Sequence, residues 1–300
     1  MRTFQRLATG AAIALFVAAC GGGGSSTAPT QGASTTPASQ APATTEKPIT
    51  PPTSLVTAGK LTDCVDIEYP PMEHFPSADV TDPNQAIGFD VDAARKVAQK
   101  LGLALEVVNS GFDALIPDLS AGRCDIVWSA LYVSDERLQV ADAVPYMATG
   151  HAIMVPTGNP KGIKAVTDLC GKTISIQSGG VVETASKKAS DDCVAAGKSA
   201  ITIQGYPKVA DEFQQITLGR VDAVWETDTA VLNWMFSNPG KYEMGFAFPR
   251  DKNYGVYYGK GKTEVGTAIT AALAALKADG SLAALATQYK IDPAVLETVK

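Results

Sequence analysis

The sequence predicts an α/β protein of two open, mostly parallel sheets with flanking helices, and three observations lead there. From residue 61 onward, apolar strand-like segments alternate with segments of helical periodicity. The rhythm strand-helix-strand-helix-strand then occurs a second time. Gly122-Arg123-Cys124-Asp125 and Gly219-Arg220-Val221-Asp222 fall at equivalent points of the two rounds, each between a helix and a strand.

In the first round, residues 61–67 read as a strand, and Asp90 is placed to cap a helix that runs to about residue 101. Within it Ala94, Val97, Ala98 and Leu101 recur at i, i+3, i+4 and i+7, one apolar face. Gly102 stops it. Residues 104–108 form a second strand, 112–121 a helix closed by Gly122, 125–130 a third strand and 136–141 a short helix. In the second round the strands are 173–176, 200–204 and 222–225. A helix from Gly179-Gly180 to about Cys193 and another over 209–218 connect them. Two tail helices, 265–277 and 282–289, are expected to pack on the first unit. Open α/β sheets bind ligands beyond the carboxyl ends of their strands, so two facing units predict a site between them.

The N-terminus has its own logic. Arg2 and Arg6 precede a seven-residue apolar stretch, Ala11 to Val17, and the small residues Ala18 and Ala19 lead into Cys20. A membrane span needs roughly 20 apolar residues, so residues 1–19 read as a removable export signal. Val17-Ala18-Ala19-Cys20 resembles the lipobox of bacterial lipoproteins, in which the cysteine becomes the lipidated N-terminus. The alternative is an ordinary signal cleaved at an A-x-A-like site, with Cys20 a bystander. The lipoprotein reading is preferred because residues 20–54 are dominated by Gly, Ser, Thr and Pro, with Glu46 and Lys47 the only charges. Such a stretch stays unfolded and acts as a spacer. The expectation is a chain on the outer face of the cytoplasmic membrane, at the cell surface or in a periplasm, touching membrane through its lipid alone. No second apolar span and no further module is expected before Lys300.

Charge and cysteine content narrow the partners. Lys and Arg number 25 against 31 Asp and Glu, a formal net charge of −6, and no basic run is present, so nucleic acid is not expected. With Cys20 assigned to lipid, Cys64, Cys124, Cys170 and Cys193 remain in an exported chain, where disulfides persist. No Cys-x-x-Cys occurs and the two histidines, His74 and His151, are far apart, so neither a zinc site nor another cofactor is expected. Three pairings are possible. First and third strands are neighbours in such a sheet, which favours Cys64–Cys124. Cys170 opens the next unit and Cys193 ends the helix leading away from its first strand, which favours Cys170–Cys193. Free buried thiols are the alternative. Each favoured bridge stays within one unit and leaves the two free to hinge.

Gly88-Phe89-Asp90-Val91-Asp92-Ala93-Ala94 resembles the signature of the family-3 solute-binding proteins, the amino-acid receptors of ABC importers. Phe112-Asp113-Ala114-Leu115-Ile116-Pro117, Ala121-Gly122-Arg123-Cys124-Asp125 and Ser134-Asp135-Glu136-Arg137 follow in that family's order and spacing. The resemblance runs from about residue 61 to the C-terminus. It implies the two-lobed type II periplasmic-binding-protein fold, with residues 55–149 and 252–300 in lobe 1 and residues 150–251 in lobe 2. Two crossing strands would lie near 148–151 and 246–254. It further implies a monomer that closes on a small ligand, an amino acid or amine, and docks on a membrane permease.

The same resemblance assigns site residues. Asp66 matches a first-strand acid that meets basic side chains, with Glu68 beside it; Tyr69 and Phe112 match two aromatics that sandwich the ligand. Ser129 matches a polar wall residue and Arg137 the arginine that pairs with the ligand carboxylate, a planar group suited to two parallel hydrogen bonds. Five positions depart from the family. Ala130 and Tyr132 stand where small hydroxyl or Gly-type residues are usual. Gly180 and Val181 replace a hydroxyl pair on the carboxylate, although backbone N–H groups at that helix start can receive an anion. Thr227 replaces the acid that binds the α-ammonium group. Glu226, Asp228 or Glu183 are the candidate substitutes. Side chains alternate along a strand, so Glu226 and Asp228 would share a face if the strand reached that far. Trp128, Tyr132, Trp225, Trp234, Tyr257 and Tyr258 either cage a cation or pack in the core.

Three function classes are compatible with this sequence. Binding without chemistry leads. The alternative is a periplasmic cyclohexadienyl (prephenate/arogenate) dehydratase-like enzyme, which resembles this family and needs a general acid over the substrate. A sensory or adhesive surface protein is disfavoured, since no repeat or partner module is seen.

Overall fold

A computed structural model describes residues 48–299. The expected export signal, the expected lipidation site Cys20 and residues 20–47 of the expected spacer lie outside the described residues. β1 (Lys60–Val65) leads into a small hairpin of β2 (Glu68–Tyr69) and β3 (Glu73–His74), then α1 (Phe89–Lys100) and β4 (Ala104–Asn109). A 3-10 turn at Phe112–Ala114 runs into α2 (Leu115–Ser120), followed by β5 (Ile126–Val127), α3 (Asp135–Leu138) and β6 (Ala141–Thr149). The middle of the chain supplies β7 (His151–Pro156), β8 (Thr173–Gln177), α4 (Val181–Ala195), β9 (Thr202–Tyr206) and α5 (Val209–Thr217). It continues through β10 (Ala223–Thr227), α6 (Asp228–Ser237) and β11 (Tyr242–Ala247). The chain ends with β12 (Lys252–Gly259), α7 (Thr263–Ala278) and α8 (Ser281–Gln288).

Two five-stranded sheets result, ordered β4-β1-β5-β12-β6 and β11-β7-β10-β8-β9. Each is mixed. β1 pairs in parallel with β4 and β5, while β12 is antiparallel to β5 and β6. In the second sheet β8 pairs in parallel with β9 and β10, while β7 is antiparallel to β10 and β11. The antiparallel half comes from strands that enter or leave a sheet through the two crossings, at Gly150 and at residues 248–251. These crossings touch, because a Cβ built on Gly150 would lie 2.7 Å from the Pro249 carbonyl oxygen.

The repeated tetrapeptide has the same work in both sheets. Gly122 and Gly219 take positive φ and close α2 and α5. The Asp125 amide donates to the Thr62 carbonyl, and its carboxylate accepts from the Thr62 amide at 2.9 Å. Asp222 repeats both bonds with Thr173, at 2.7 and 3.0 Å. Each aspartate therefore staples the strand it opens to the start of its neighbour, bringing the carboxyl ends of the sheet to one edge.

The predicted face of α1 is the buried one, with Ala94 and Val97 at 0 % exposure. It packs with α7 residues Ile269 and Leu273, so the tail lies on the first sheet. Burying one such aliphatic side chain stabilises by about 1.5–3 kcal/mol. Cys64 on β1 is bridged to Cys124 just before the adjacent β5, and Cys170 before β8 is bridged to Cys193 on α4.

Several local expectations shift. The helix predicted over 112–121 begins as a 3-10 turn, and the one over 136–141 ends at Leu138 because Ala141 is taken into β6 opposite Gly259. The third strand is only Ile126–Val127, since Ala130 has φ +45° and turns the chain out of the sheet. The strand expected at 200–204 spans Thr202–Tyr206. Residues 53 and 54, expected to belong to an unfolded spacer, are instead tied to the fold, since Thr53 and Ser54 both donate to the Glu264 carboxylate at the start of α7. Those bonds hold the Glu264 carboxyl near 2, below its usual range.

Candidate functional site

A narrow cavity lies between the carboxyl ends of the two sets of strands. From lobe 1 it is lined by Asp66, Tyr69, Glu73, Phe112, Ser129, Ala130, Tyr132 and Arg137. From lobe 2 come Gln177, Gly180, Val181, Val182, Glu226 and Thr227. Only about 20 Å³ of it admits the centre of a water molecule, enough for one water by the ~10–15 Å³ criterion. Entry of a larger ligand requires the lobes to part or side chains to move.

Each wall follows from its backbone. Left-handed Ala130 aims Ser129 and Tyr132 into the cleft, and its amide donates to the buried Asp90 carboxylate at 2.7 Å. Ser134 caps α3 by accepting from the Arg137 amide. Arg137 Nη1 donates to the Tyr132 carbonyl at 3.0 Å, and its guanidinium sits 5.7 Å from the centre of the Phe112 ring, in cation–π range. Burial lowers the Arg137 pKa from its usual value. Across the cleft, Gly180 opens α4 without a side-chain cap, so Arg137 and a helix N-terminus border one cavity, a suitable pair for a carboxylate.

The other charged groups that line the cavity are acids. Asp66 follows β1, its amide donates to Ser129 Oγ at 3.0 Å, and burial together with Glu68 and Asp113 raises its carboxyl to about 7, against the pull of Lys208. Glu226, 3 % exposed, is raised by burial to about 7, while the Thr227 amide and Tyr69 hydroxyl pull it down. The Tyr69 hydroxyl donates to Glu226 Oε2 at 3.4 Å and is also hydrogen-bonded with Thr227 Oγ1. Burial likewise raises Glu73, which accepts from Ser129 Oγ at 2.8 Å. One arginine thus faces three carboxyl groups that hold their protons more tightly than usual. A cation entering among them would favour their charged forms.

Of the thirteen residues read as ligand-binding from the sequence, the cavity gathers eleven and leaves out Glu68 and Asp228. Glu68 pairs with Lys208 of lobe 2 at 2.5 Å, an ion pair across the mouth of the cleft. β10 ends at Thr227, which caps α6 by accepting from the Ala230 amide at 3.2 Å, so Asp228 is helical and does not share a strand face with Glu226. Asp228 instead accepts from Thr149 Oγ1 at 2.9 Å, the Gly150 amide at 3.4 Å and Arg250 Nε. It clasps both crossings. Glu183 accepts from the Gly179 amide at 2.7 Å and pairs with Lys187, at the start of its own helix. Glu73, Gln177 and Val182 border the cavity without having been singled out. Glu73 had one signal, an acid set in the otherwise apolar Pro70-Pro71-Met72 segment. Among the aromatics, Tyr132 lines the cavity and donates to the Gly150 carbonyl at 3.0 Å, while Trp128, Trp225 and Tyr257 are core residues.

Residues 61–292 match the bacterial extracellular solute-binding proteins, family 3. The chain belongs to that family. It is 27% identical over 210 residues to the L-cystine-binding protein TcyJ of Escherichia coli (strain K12), covering 69% of this chain and 76% of that protein. It is 28% identical over 241 residues to the ABC transporter arginine-binding protein 1 of the same strain, covering 77% of this chain and 91% of that one. Among solved structures, an ancestral arginine-binding protein bound to arginine superposes with a TM-score of 0.70 at 30% identity, over 77% of this chain and 98% of that chain. The ancestral amino acid-binding protein AncCDT-1, a precursor of cyclohexadienyl dehydratase, gives 0.67 at 26% identity, over 77% and 95%. The fold is that of a type II periplasmic binding protein, with two mixed sheets as its two lobes.

Proposed function

We propose that this protein is the extracytoplasmic substrate-binding component of an ABC importer and captures an amino acid or amino-acid-like amine between two hinged lobes. The observation that carries the proposal is Arg137, half-buried beside the start of α4 in a cavity whose other charged groups are acids. A zwitterion matches that polarity, its carboxylate toward Arg137 and its ammonium toward the acids. Residues 55–149 with 252–300, and residues 150–251, would move as the two bodies, and the closed form would dock as a monomer on a permease. Cys20 would carry the lipid, so Cys20→Ala should release the protein from membranes in a fractionation of whole cells.

The test of the ligand class is a thermal-shift screen over amino acids, amines and betaines, followed by titration of wild type and Arg137→Ala with the best binder. A hydrogen bond to a charged group contributes about 1.5–3 kcal/mol, or roughly 10- to 150-fold in affinity. Loss in that range supports the reading. An Arg137→Ala protein that binds within about threefold of wild type refutes the carboxylate contact.

The dehydratase reading has one specific observation behind it: Glu226 sits in the cavity with its pKa near 7, where a general acid works well. Incubation with prephenate or arogenate decides it, since a binding protein leaves both unchanged.

A further inference from the structure

The family position for the α-ammonium acceptor is Thr227, and its hydroxyl is already occupied. Thr227 Oγ1 is hydrogen-bonded with Tyr69 and Thr229 and accepts from the Ala230 amide. The next acid along, Asp228, is committed to the crossings and to Arg250. Within lobe 2 that leaves Glu226 as the acid bordering the cavity. Near enough to feel its charge, Glu212 on α5 is 0 % exposed, and among the described residues neither of its carboxyl oxygens has a hydrogen-bond partner. A buried acid left without partners is costly, and a core position would be better filled by an apolar side chain.

We infer that Glu226 is the acceptor of the ligand's ammonium group and that, with Glu212 nearby, it forms a carboxyl pair whose proton is released when that group enters. The assignment presupposes the amino-acid ligand proposed above. Burial raises both carboxyls, and Glu226 raises Glu212 further, so of the pair Glu226 is the one that ionises. The other groups around the pair do not neutralise it. Tyr69 and Tyr254, from lobe 1, stay uncharged because burial raises both phenols. His151 on β7 accepts from the Trp225 indole and is held toward its neutral form by burial. Lys208 at the start of α5 is paired with Glu68, and Arg250 with Asp228. Asp66 and Glu73 face the same cavity as acids and only add to the demand for a cation. A ligand ammonium is then the positive charge that lets Glu226 ionise, and the displaced proton leaves to solvent.

Linkage gives the sign. Binding that expels a proton strengthens as pH rises toward the carboxyl's free-state value, up to tenfold per pH unit, and levels off above it. The experiment is calorimetric titration with L-arginine, L-glutamine, L-histidine and L-cystine between pH 5 and 8, in buffers of different ionisation enthalpy. The expected result is affinity rising through pH 5–7, a proton released at pH 6, and Glu226→Gln weakening binding by tenfold or more and flattening the profile. Glu226→Asp should keep the rise at reduced affinity. Glu212→Gln should still bind and leave the break in the profile in place, because Glu212 keeps its proton while Glu226 ionises. If Glu226→Gln binds within threefold of wild type, or if wild type shows no proton release, the inference is wrong while an amino-acid ligand stands. If none of the four amino acids binds, the ligand class itself is wrong and the inference falls with it.

Discussion

The two disulfides close loops of unequal length within separate lobes, and that difference sets a measurable order. Cys64 and Cys124 are 60 residues apart, Cys170 and Cys193 only 23. In the chain-entropy account a cross-link restricts the unfolded chain by an amount that grows with the logarithm of the loop. Those separations give about 4.3 kcal/mol for the first bridge and about 3.4 kcal/mol for the second at 25 °C. The paired substitutions Cys64→Ala with Cys124→Ala, and Cys170→Ala with Cys193→Ala, remove one bridge each. Urea unfolding of the two variants should show both destabilised by several kcal/mol, the first by about 0.9 kcal/mol more. Lost sulfur packing applies to both, since Cys64, Cys124 and Cys193 are all buried. Neither bridge crosses the cleft, so ligand affinity of the still-folded variants should stay within threefold of wild type. A greater loss from the shorter loop would show that native-state packing rather than chain entropy dominates. A tenfold loss of affinity in either variant would show that the bridges act on the hinge.

Two further outcomes follow from other features. Asp63, Glu73 and Asp90 are buried together and burial raises all three, Asp90 to about 7. An acid raised in the folded state stabilises fully below its unfolded pKa and loses that contribution as pH climbs. His74 and His151, both lowered by burial, work in the opposite direction. Glu73→Gln should therefore lose less stability than wild type between pH 5 and 8 in urea midpoints, and parallel pH profiles would contradict this. Gly150→Ala would place a Cβ 2.7 Å from the Pro249 oxygen and 3.2 Å from that of Phe248. Forcing the crossings apart should cost roughly 1–3 kcal/mol by the scale for overpacking. It should lower the melting temperature and change ligand affinity, and a variant indistinguishable from wild type in both would refute the close approach.

Much of this architecture is legible in the chain because its signals are local. The periodic face of α1, the glycines that end α2 and α5, and the recurring Asp125 and Asp222 are read from a few neighbouring residues. The cysteine pairing followed from strand adjacency, a property of the topology once two rounds are recognised. The antiparallel strands were harder. β6, β7, β11 and β12 acquire their roles from partners up to more than a hundred residues away, as when Tyr257 pairs with Val127. The small hairpin of β2 and β3 is two residues on each side, too short to show any period.

At the site, what sequence could not settle turns on a single residue of phase. If β10 had continued, Glu226 and Asp228 would have pointed the same way by strand alternation. Thr227 instead holds the extended conformation of an N-cap, and Asp228 enters the first turn of α6, where an acid suits the helix dipole. The signal was present, since Thr followed by Asp before an apolar run is a helix start. The change of period sends one acid into the cavity between the sheets and the other onto the crossings. Asp228 can then bind Thr149 and Gly150 on the first crossing and Arg250 on the second only because it is not available to a ligand. The same step that occupies the position where the resemblance expects an ammonium acceptor thus ties the two crossings together, and it leaves Glu226 as the acid of the second sheet that borders the cavity.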